Sequence, residues 1–435
     1  MYLISIKKKI YKYFIFLSIH FLNIALRIDN HILAAFILRL NITKFNKISR
    51  QNKKMKKILV FPKTGGNEDL IEAFRNDTKN NITFFLLQRV FLKEIFHFYF
   101  RNTNKSKYHS DYKTKTETKV EVIKKELFIH FITKTFNILN NFFKLDGFLS
   151  FNLFYYNEKY LEEVCKNLDM KFIILQKESV FTPNDEKGMP KIYRNYNDKS
   201  LAHKILVYSK NQKELLIKSK IANKNQIIVN GCSRSDYAFR LRKITPREKN
   251  IIFYLMDGDR GTNNLLNINV RFNNLLNKTL NYLKYFAIKN PDIKVILKGK
   301  TGVHSKKKLY TSSFPKNCIF VEGGPGEKFL ENASLVIAFN STIVFETILA
   351  NRNLIIPNFN NEYKTKRQFL HNINKRYLVS SKTDFLNKIK FYLKLKYKNK
   401  KLTKYDKKII DYYLGNSDGK SGKRLKKNLN SEINK

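Results

Sequence analysis

Ser341, Thr342 and Glu346 are the residues of this chain whose types and spacing most readily do chemistry. They lie in Phe339–Phe359, FNSTIVFETILANRNLIIPNF, where the apolar run LVIAF (Leu335–Phe339) stops at Asn340-Ser341-Thr342. A helical pattern carrying Glu346 follows, and NLIIP (Asn353–Pro357) closes the unit. The pattern predicts strand, polar turn, helix and strand, a βαβ crossover. A helix start presents N–H groups without intrahelical acceptors and the positive end of the macrodipole, which suits a phosphate. Thr342 and Glu346 are four residues apart on one helix face, so a phosphate and a neighbouring ribose can be met together. A capping box wants an acid three residues after the cap, yet Val344 and Phe345 stand at that distance from Ser341 and Thr342. The competing reading makes Ser341 a plain N-cap and Glu346 a solvated helix glutamate.

Polar residues recur where other apolar runs end. Asp257, Asp259 and Arg260 follow IIFYLM; Lys298, Lys300 and His304 follow VIL; Gly323, Gly324 and Gly326 follow CIFVE. Nearer the start, KILVF (Lys57–Phe61) runs into PKTGGNEDL, where Gly65-Gly66 predicts a turn and Asn67 the cap of the next helix. Any one of these is ordinary loop chemistry. Their repetition at successive strand ends is the signal, because doubly wound sheets bind ligands beyond the carboxyl ends of their strands. No GxGxxG is present, so a dinucleotide site is not indicated. A nucleotide-handling enzyme is the leading idea.

The elements that must position these residues alternate twice. Strand-like runs at 57–61, 81–88, 147–151, 171–175, 204–208 and 226–229 are separated by helical patterns, among them 121–143, 157–168 and 211–220. A charged stretch with Pro246 (Arg240–Lys249) reads as a linker, and a second alternation runs from IIFYLM to LIIPNF. This predicts an α/β chain with two facing doubly wound, Rossmann-like domains. We place an N-terminal basic and apolar segment at 1–52, the first Rossmann-like domain at 53–238, the second at 239–400 and a Lys-rich C-terminal helix or tail at 401–435.

Composition sets the remaining bounds. The chain has 435 residues with 43% hydrophobic, room for two globular cores. Its formal net charge of +49 fits a surface that attracts polyanions or anionic lipid. It equally fits a Lys-, Asn- and Ile-rich composition, because lysine is spread along the whole chain. Cys165, Cys232 and Cys318 are far apart, which argues against a disulfide framework and fits a reducing cytoplasm. No HExxH or His/Cys cluster indicates a bound metal. Tyr11–Ile28 is rich in large apolar residues but interrupted by Lys12, His20, Asn23 and Arg27, short of the about 20 apolar residues of a span. A helix lying on the membrane and a helix packed on the domain both fit.

Four segments in order resemble bacterial surface- or capsule-polysaccharide glycosyltransferases of the GT-B fold. QKESVFTP (Gln176–Pro183) is similar to a Lys-Glu segment of their first domain. IIVNGCSRSD (Ile227–Asp236) resembles the strand–Gly-x-x-Arg-x-Asp element that ends that domain. NSTIVFETILANRNLIIP resembles their Ser-Thr…Glu…Pro donor element, and YLGNSDGKSGKRL (Tyr413–Leu425) the Asp-Gly segment before the closing helix. Thr64-Gly65-Gly66 stands where better-defined members carry a histidine.

The resemblance implies transfer of a sugar from a nucleotide-activated donor to a surface polysaccharide or lipid-linked glycan, without a metal or other cofactor. Asn340, Ser341 and Thr342 would hold the donor's phosphate, Glu346 would lie near the ribose, and Lys298 and Lys300 would offset charge on the leaving nucleotide. Glu178 is the candidate base for the acceptor hydroxyl, or else an ion-pair partner of Lys177 or Arg234. Gly65, Gly66, Arg234, Asp257, Arg260, His304 and Gly324 would line the cleft, with Asp236 fixing the interdomain turn. The expected location is cytoplasmic, peripheral to the inner face of the membrane. Related elements occur in epimerases and in glycerophosphotransferases that use CDP-glycerol. A third possibility, a non-catalytic polyanion-binding protein, rests on the charge and the Lys-rich tail, without any nucleic-acid-binding motif.

Overall fold

The computed structural model describes residues 2–45, 55–75, 81–101, 118–177, 180–181, 183–196, 199–246, 249–255, 273–299, 314–339, 341–359, 373–398 and 401–434. The first sheet comprises β1 (Thr43–Lys44), β2 (Lys56–Val60), β3 (Ile82–Leu86), β4 (Gly147–Ser150), β5 (Lys171–Gln176), β6 (Lys204–Val207) and β7 (Ile227–Val229). Their spatial order is β1-β3-β2-β4-β5-β6-β7, parallel except for β1 at the edge. The second sheet comprises β8 (Asn250–Tyr254), β9 (Lys294–Gly299), β10 (Cys318–Glu322), β11 (Ala333–Ile337), β12 (Asn353–Pro357) and β13 (Leu378–Val379). It is parallel throughout, in the order β10-β9-β8-β11-β12-β13.

Both are Rossmann-like sheets covered by helices on two faces, and the strand residues show why. In β2, β4 and β5, Leu59, Phe148 and Ile174 point into one core while Ile58, Leu149 and Ile173 point into the other. In the second sheet Ile252, Val336 and Leu354 face one core, and Ile251, Leu335 and Ile355 face its opposite. Alternation onto two buried faces leaves no polar position, hence the uninterrupted apolar runs. Strand order reverses between β2 and β4 in the first sheet and between β8 and β11 in the second. These are the two switch points, where crevices open at the strand ends.

The last two helices tie the domains together. Helix Lys404–Tyr413 puts Ile409, Ile410 and Tyr413 into a core of the second sheet, with Tyr413 stacked on Phe345. Helix Ser421–Asn434 then returns to the first, where Leu425, Leu429 and Ile433 pack with Val60 and Ile173. Gly415 in the connection has φ +58, and a Cβ there would lie 1.9 Å from the Tyr208 carbonyl oxygen. Only glycine lets the two backbones come this close.

At the N-terminus, α1 (Tyr2–Arg27) and α2 (His31–Asn41) form a helical pair. Leu22, Ala25, Leu26, Ala34, Ala35 and Leu38 bury one side of it in the first domain's core. No helix among the described residues is long and apolar enough to cross a membrane.

Candidate functional site

The two switch points meet around Arg234. The turn after β2 brings Gly65 to φ +88, a left-handed conformation that glycine adopts without strain. Gly65 caps α3 (Gly66–Ala73), its N–H donating to Glu68 Oε2 at 2.5 Å. Asn67, expected as the cap, lies inside α3 instead, and its Oδ1 accepts the Lys63 N–H. Glycine at the cap is favoured because the turn needs positive φ, which outweighs the side-chain bond an asparagine would supply. Gly66 packs flat on Phe151, where a Cβ would overlap the ring.

One turn into α3, Asp69 is fully buried. It accepts the Arg234 backbone N–H at 2.8 Å and the Arg234 Nη1 at 3.0 Å, and the Tyr208 hydroxyl donates to it as well. Arg234 Nη1 also reaches the Tyr208 oxygen at 2.5 Å. On its other side, Arg234 Nε lies 3.6 Å from Glu346 Oε1 of the second domain. A buried charge persists only when paired, and here one guanidinium is held by two carboxylates. Burial alone would lower the Arg234 pKa, but the Asp69 and Glu346 charges beside it raise it and keep the guanidinium protonated. Burial pushes the Tyr208 phenol and Cys232 thiol upward.

Glu346 is 3% exposed, so it is not a solvated helix glutamate. Burial raises its carboxyl pKa, Arg234 opposes that shift, and the Asp69 charge adds to it. Glu327, on the short helix Gly326–Leu330, is raised to about 7 by burial and by the Glu346 charge. Tyr254 at the end of β8 donates to the Gly326 carbonyl at 2.7 Å, which holds this short helix against that strand end. Lys298 is buried at the end of β9, its ammonium donating to the Gly299 carbonyl at 2.8 Å. Burial lowers its pKa, while Glu322 and Glu327 oppose that shift.

Ser341 precedes helix Thr342–Leu349 in extended conformation, and its side chain makes no capping hydrogen bond. The Ser341 side chain thus takes up none of the helix's first N–H groups, while its carbonyl accepts the Val344 N–H at 3.1 Å. Gly324, at φ +75, has open space where a Cβ would stand. At the first switch point, Ser150 donates to the buried Glu158 at 2.5 Å, Arg89 pairs with the same carboxylate, and the Arg89 guanidinium lies 3.8 Å above the Tyr155 ring.

The fold thus brings together Gly65, Arg234 and Glu346, with Lys298 on the Glu327 side of the same cluster. Gly66 serves packing, and Ser341 and Thr342 sit at the second switch point. Glu178, Asp257, Arg260, Lys300, His304 and Asn340 lie outside the described residues. Asp236 accepts Asn416 Nδ2 at 2.6 Å, the Ser421 N–H at 3.1 Å and the Gly422 N–H at 2.8 Å, so it caps the returning helix. Asp69, Tyr208, Tyr254 and Glu327 escaped the sequence reading. Asp69 carried one usable signal, an acid in the first helical turn after the Gly-Gly pair.

No protein-family model matches the chain, and no curated protein does. Among solved structures, it is similar to the S. aureus MnaA-UDP co-structure, with 12% identity over 87% of this chain and 97% of that one and a TM-score of 0.45. The wall teichoic acid polymerase TagF matches at 13% identity over 95% of both chains, with a TM-score of 0.45. A glycosyltransferase from Rickettsia africae ESF-5 matches at 13% identity over 88% of this chain and all of that one, with a TM-score of 0.44. Likeness at this level assigns neither a reaction nor a role to any residue of this chain.

Proposed function

We propose that this protein is a glycosyltransferase of GT-B type, moving a sugar from a nucleotide-activated donor to a surface or capsular polysaccharide or lipid-linked acceptor at the inner face of the cytoplasmic membrane. The observation that carries the reading is the meeting of two switch-point turns through Arg234 and Glu346. In this reading the helix start at Ser341 and Thr342, with Asn340, receives the donor's diphosphate. Lys298 and Lys300 offset the charge that develops as the nucleotide leaves. Glu346, oriented by Arg234, sits on the ribose side. The acceptor hydroxyl must lose a proton, and a base near neutrality suits that step. Glu178 is one candidate, and Glu327, raised to about 7, is the better-poised carboxylate among the described residues.

A thermal-shift panel of CMP-, UDP-, GDP- and CDP-linked compounds tests this. One or more nucleotide sugars should raise the melting temperature, and Ser341→Ala with Thr342→Ala should abolish the rise while the unliganded protein melts unchanged. Glu346→Gln should weaken it. A response confined to CDP-glycerol would replace sugar transfer by glycerophosphate transfer. Indifference to every donor would remove the reading.

A further inference from the structure

The α1–α2 pair buries only one side. Along α1, Ile10, Phe14, Leu17, Phe21 and Ile24 recur at intervals of three and four, and all are exposed, as is Ile28 just past its end. That spacing is one continuous stripe of a helix. On α2, Ile32, Phe36 and Leu40 recur every four residues and are 71%, 52% and 54% exposed. Isolated exposed hydrophobics are ordinary, but two contiguous stripes on neighbouring helices mark a surface that is covered in use. The opposite positions, Leu22, Ala25, Leu26, Ala34, Ala35 and Leu38, are already occupied by the core, so the stripes cannot turn inward without unpacking the domain.

Charge selects the occupant. Residues 2–45 carry seven basic side chains and one acidic, Asp29. Lys12, Arg27 and Arg39 are exposed beside the stripes. A second copy of this chain would set one positive hairpin against another, whereas an anionic lipid surface offers apolar depth and the opposite charge together. Neither helix is apolar enough to span.

We infer that α1 and α2 form an interfacial platform that seats the protein in an anionic lipid leaflet, with both apolar stripes in the acyl boundary and the basic residues at the headgroups. This deepens the membrane placement in the proposed function, yet it is measured without donor or acceptor. Loss of vesicle binding would leave the donor assay standing, and the converse holds.

The test is flotation of the full chain with phosphatidylcholine vesicles, with and without phosphatidylglycerol. Binding should need the anionic lipid, weaken as salt rises, and fall at least about tenfold in a Phe14→Asp, Phe21→Asp, Phe36→Asp variant. A Phe→Leu variant at the same positions should keep it, and circular dichroism should show both variants folded. Lys12→Glu with Arg27→Glu should reduce binding without changing the melting temperature. Equal binding to neutral vesicles, or undiminished binding by the folded aspartate variant, would overturn the inference. So would self-association of the wild-type chain that the aspartates abolish, since the stripes would then be a dimer interface.

Discussion

Arg234 Nε lies 3.6 Å from Glu346 Oε1 while its Nη1 lies 3.0 Å from Asp69 Oδ2, so one guanidinium joins a helix of each domain. Arginine suits this position because its planar fork offers donors in two directions and it stays charged when desolvated. The arrangement brings helix Thr342–Leu349 of the second domain beside the glycine turn of the opposite sheet.

Replacing Arg234 by methionine should therefore cost about 3–5 kcal/mol, because the buried Asp69 and Glu346 carboxylates lose their only cation among the described residues. Urea unfolding at neutral pH measures the loss. Adding Asp69→Asn and Glu346→Gln to the same chain should recover part of it, since neutral partners no longer need the cation.

Glu327 should make stability depend on pH. Its carboxyl is raised to about 7 from an ordinary 4.5 by burial and the neighbouring Glu346 charge. The folded state holds this proton where the unfolded chain has released it. The contribution is therefore complete below the unfolded value and is lost as pH rises through about 7. It amounts to about 3 kcal/mol. Comparing unfolding midpoints at pH 5 and pH 8, Glu327→Gln should flatten the difference and gain stability at the higher pH.

Asp236→Ala should loosen the C-terminal helix selectively. The Ser421 and Gly422 N–H groups lose their acceptor, while the Asn416 amide keeps the Cys232 carbonyl and the Ser235 hydroxyl, a cost of about 2 kcal/mol or more for the buried donors. Hydrogen exchange should accelerate over Ser421–Asn434 while β8 to β12 keep their protection. Uniform acceleration across both sheets would show that the helix is not an independent clasp.

The central strands were legible because each has an apolar run bounded by polar turns. KILVF, Gly147–Phe151 and Lys204–Tyr208 correspond to Lys56–Val60, Gly147–Ser150 and Lys204–Val207, a difference of one residue at both ends for the first and at one end for the other two. No helix is predicted at Pro183–Tyr196; this segment carries Gly188 and Pro190 internally, and its apolar residues Met189, Ile192, Tyr193 and Tyr196 are confined to the second half. The segment at 1–52 shows Tyr11–Ile28 as its apolar stretch, and the structure adds a second helix, α2, after the short break at Ile28–Asn30. In the site, Gly65, Arg234 and Glu346 announced themselves by position at strand ends. Asp69 and Tyr208 did not, because their partner is 165 and 26 residues away in the chain.

The sequence by itself determined two βα alternations, the polar turns at their strand ends and a glutamate on helix Thr342–Leu349 that capping does not explain. These are local properties, written in periodicity and turn chemistry over spans of a few residues. Only the tertiary structure decided that Glu346 faces Arg234, that Asp69 and Glu327 belong to the same cluster, and that the C-terminal helices belong to different cores. Those are pairings across the chain, chosen by desolvation: a buried charge must find its opposite wherever the fold brings one within reach.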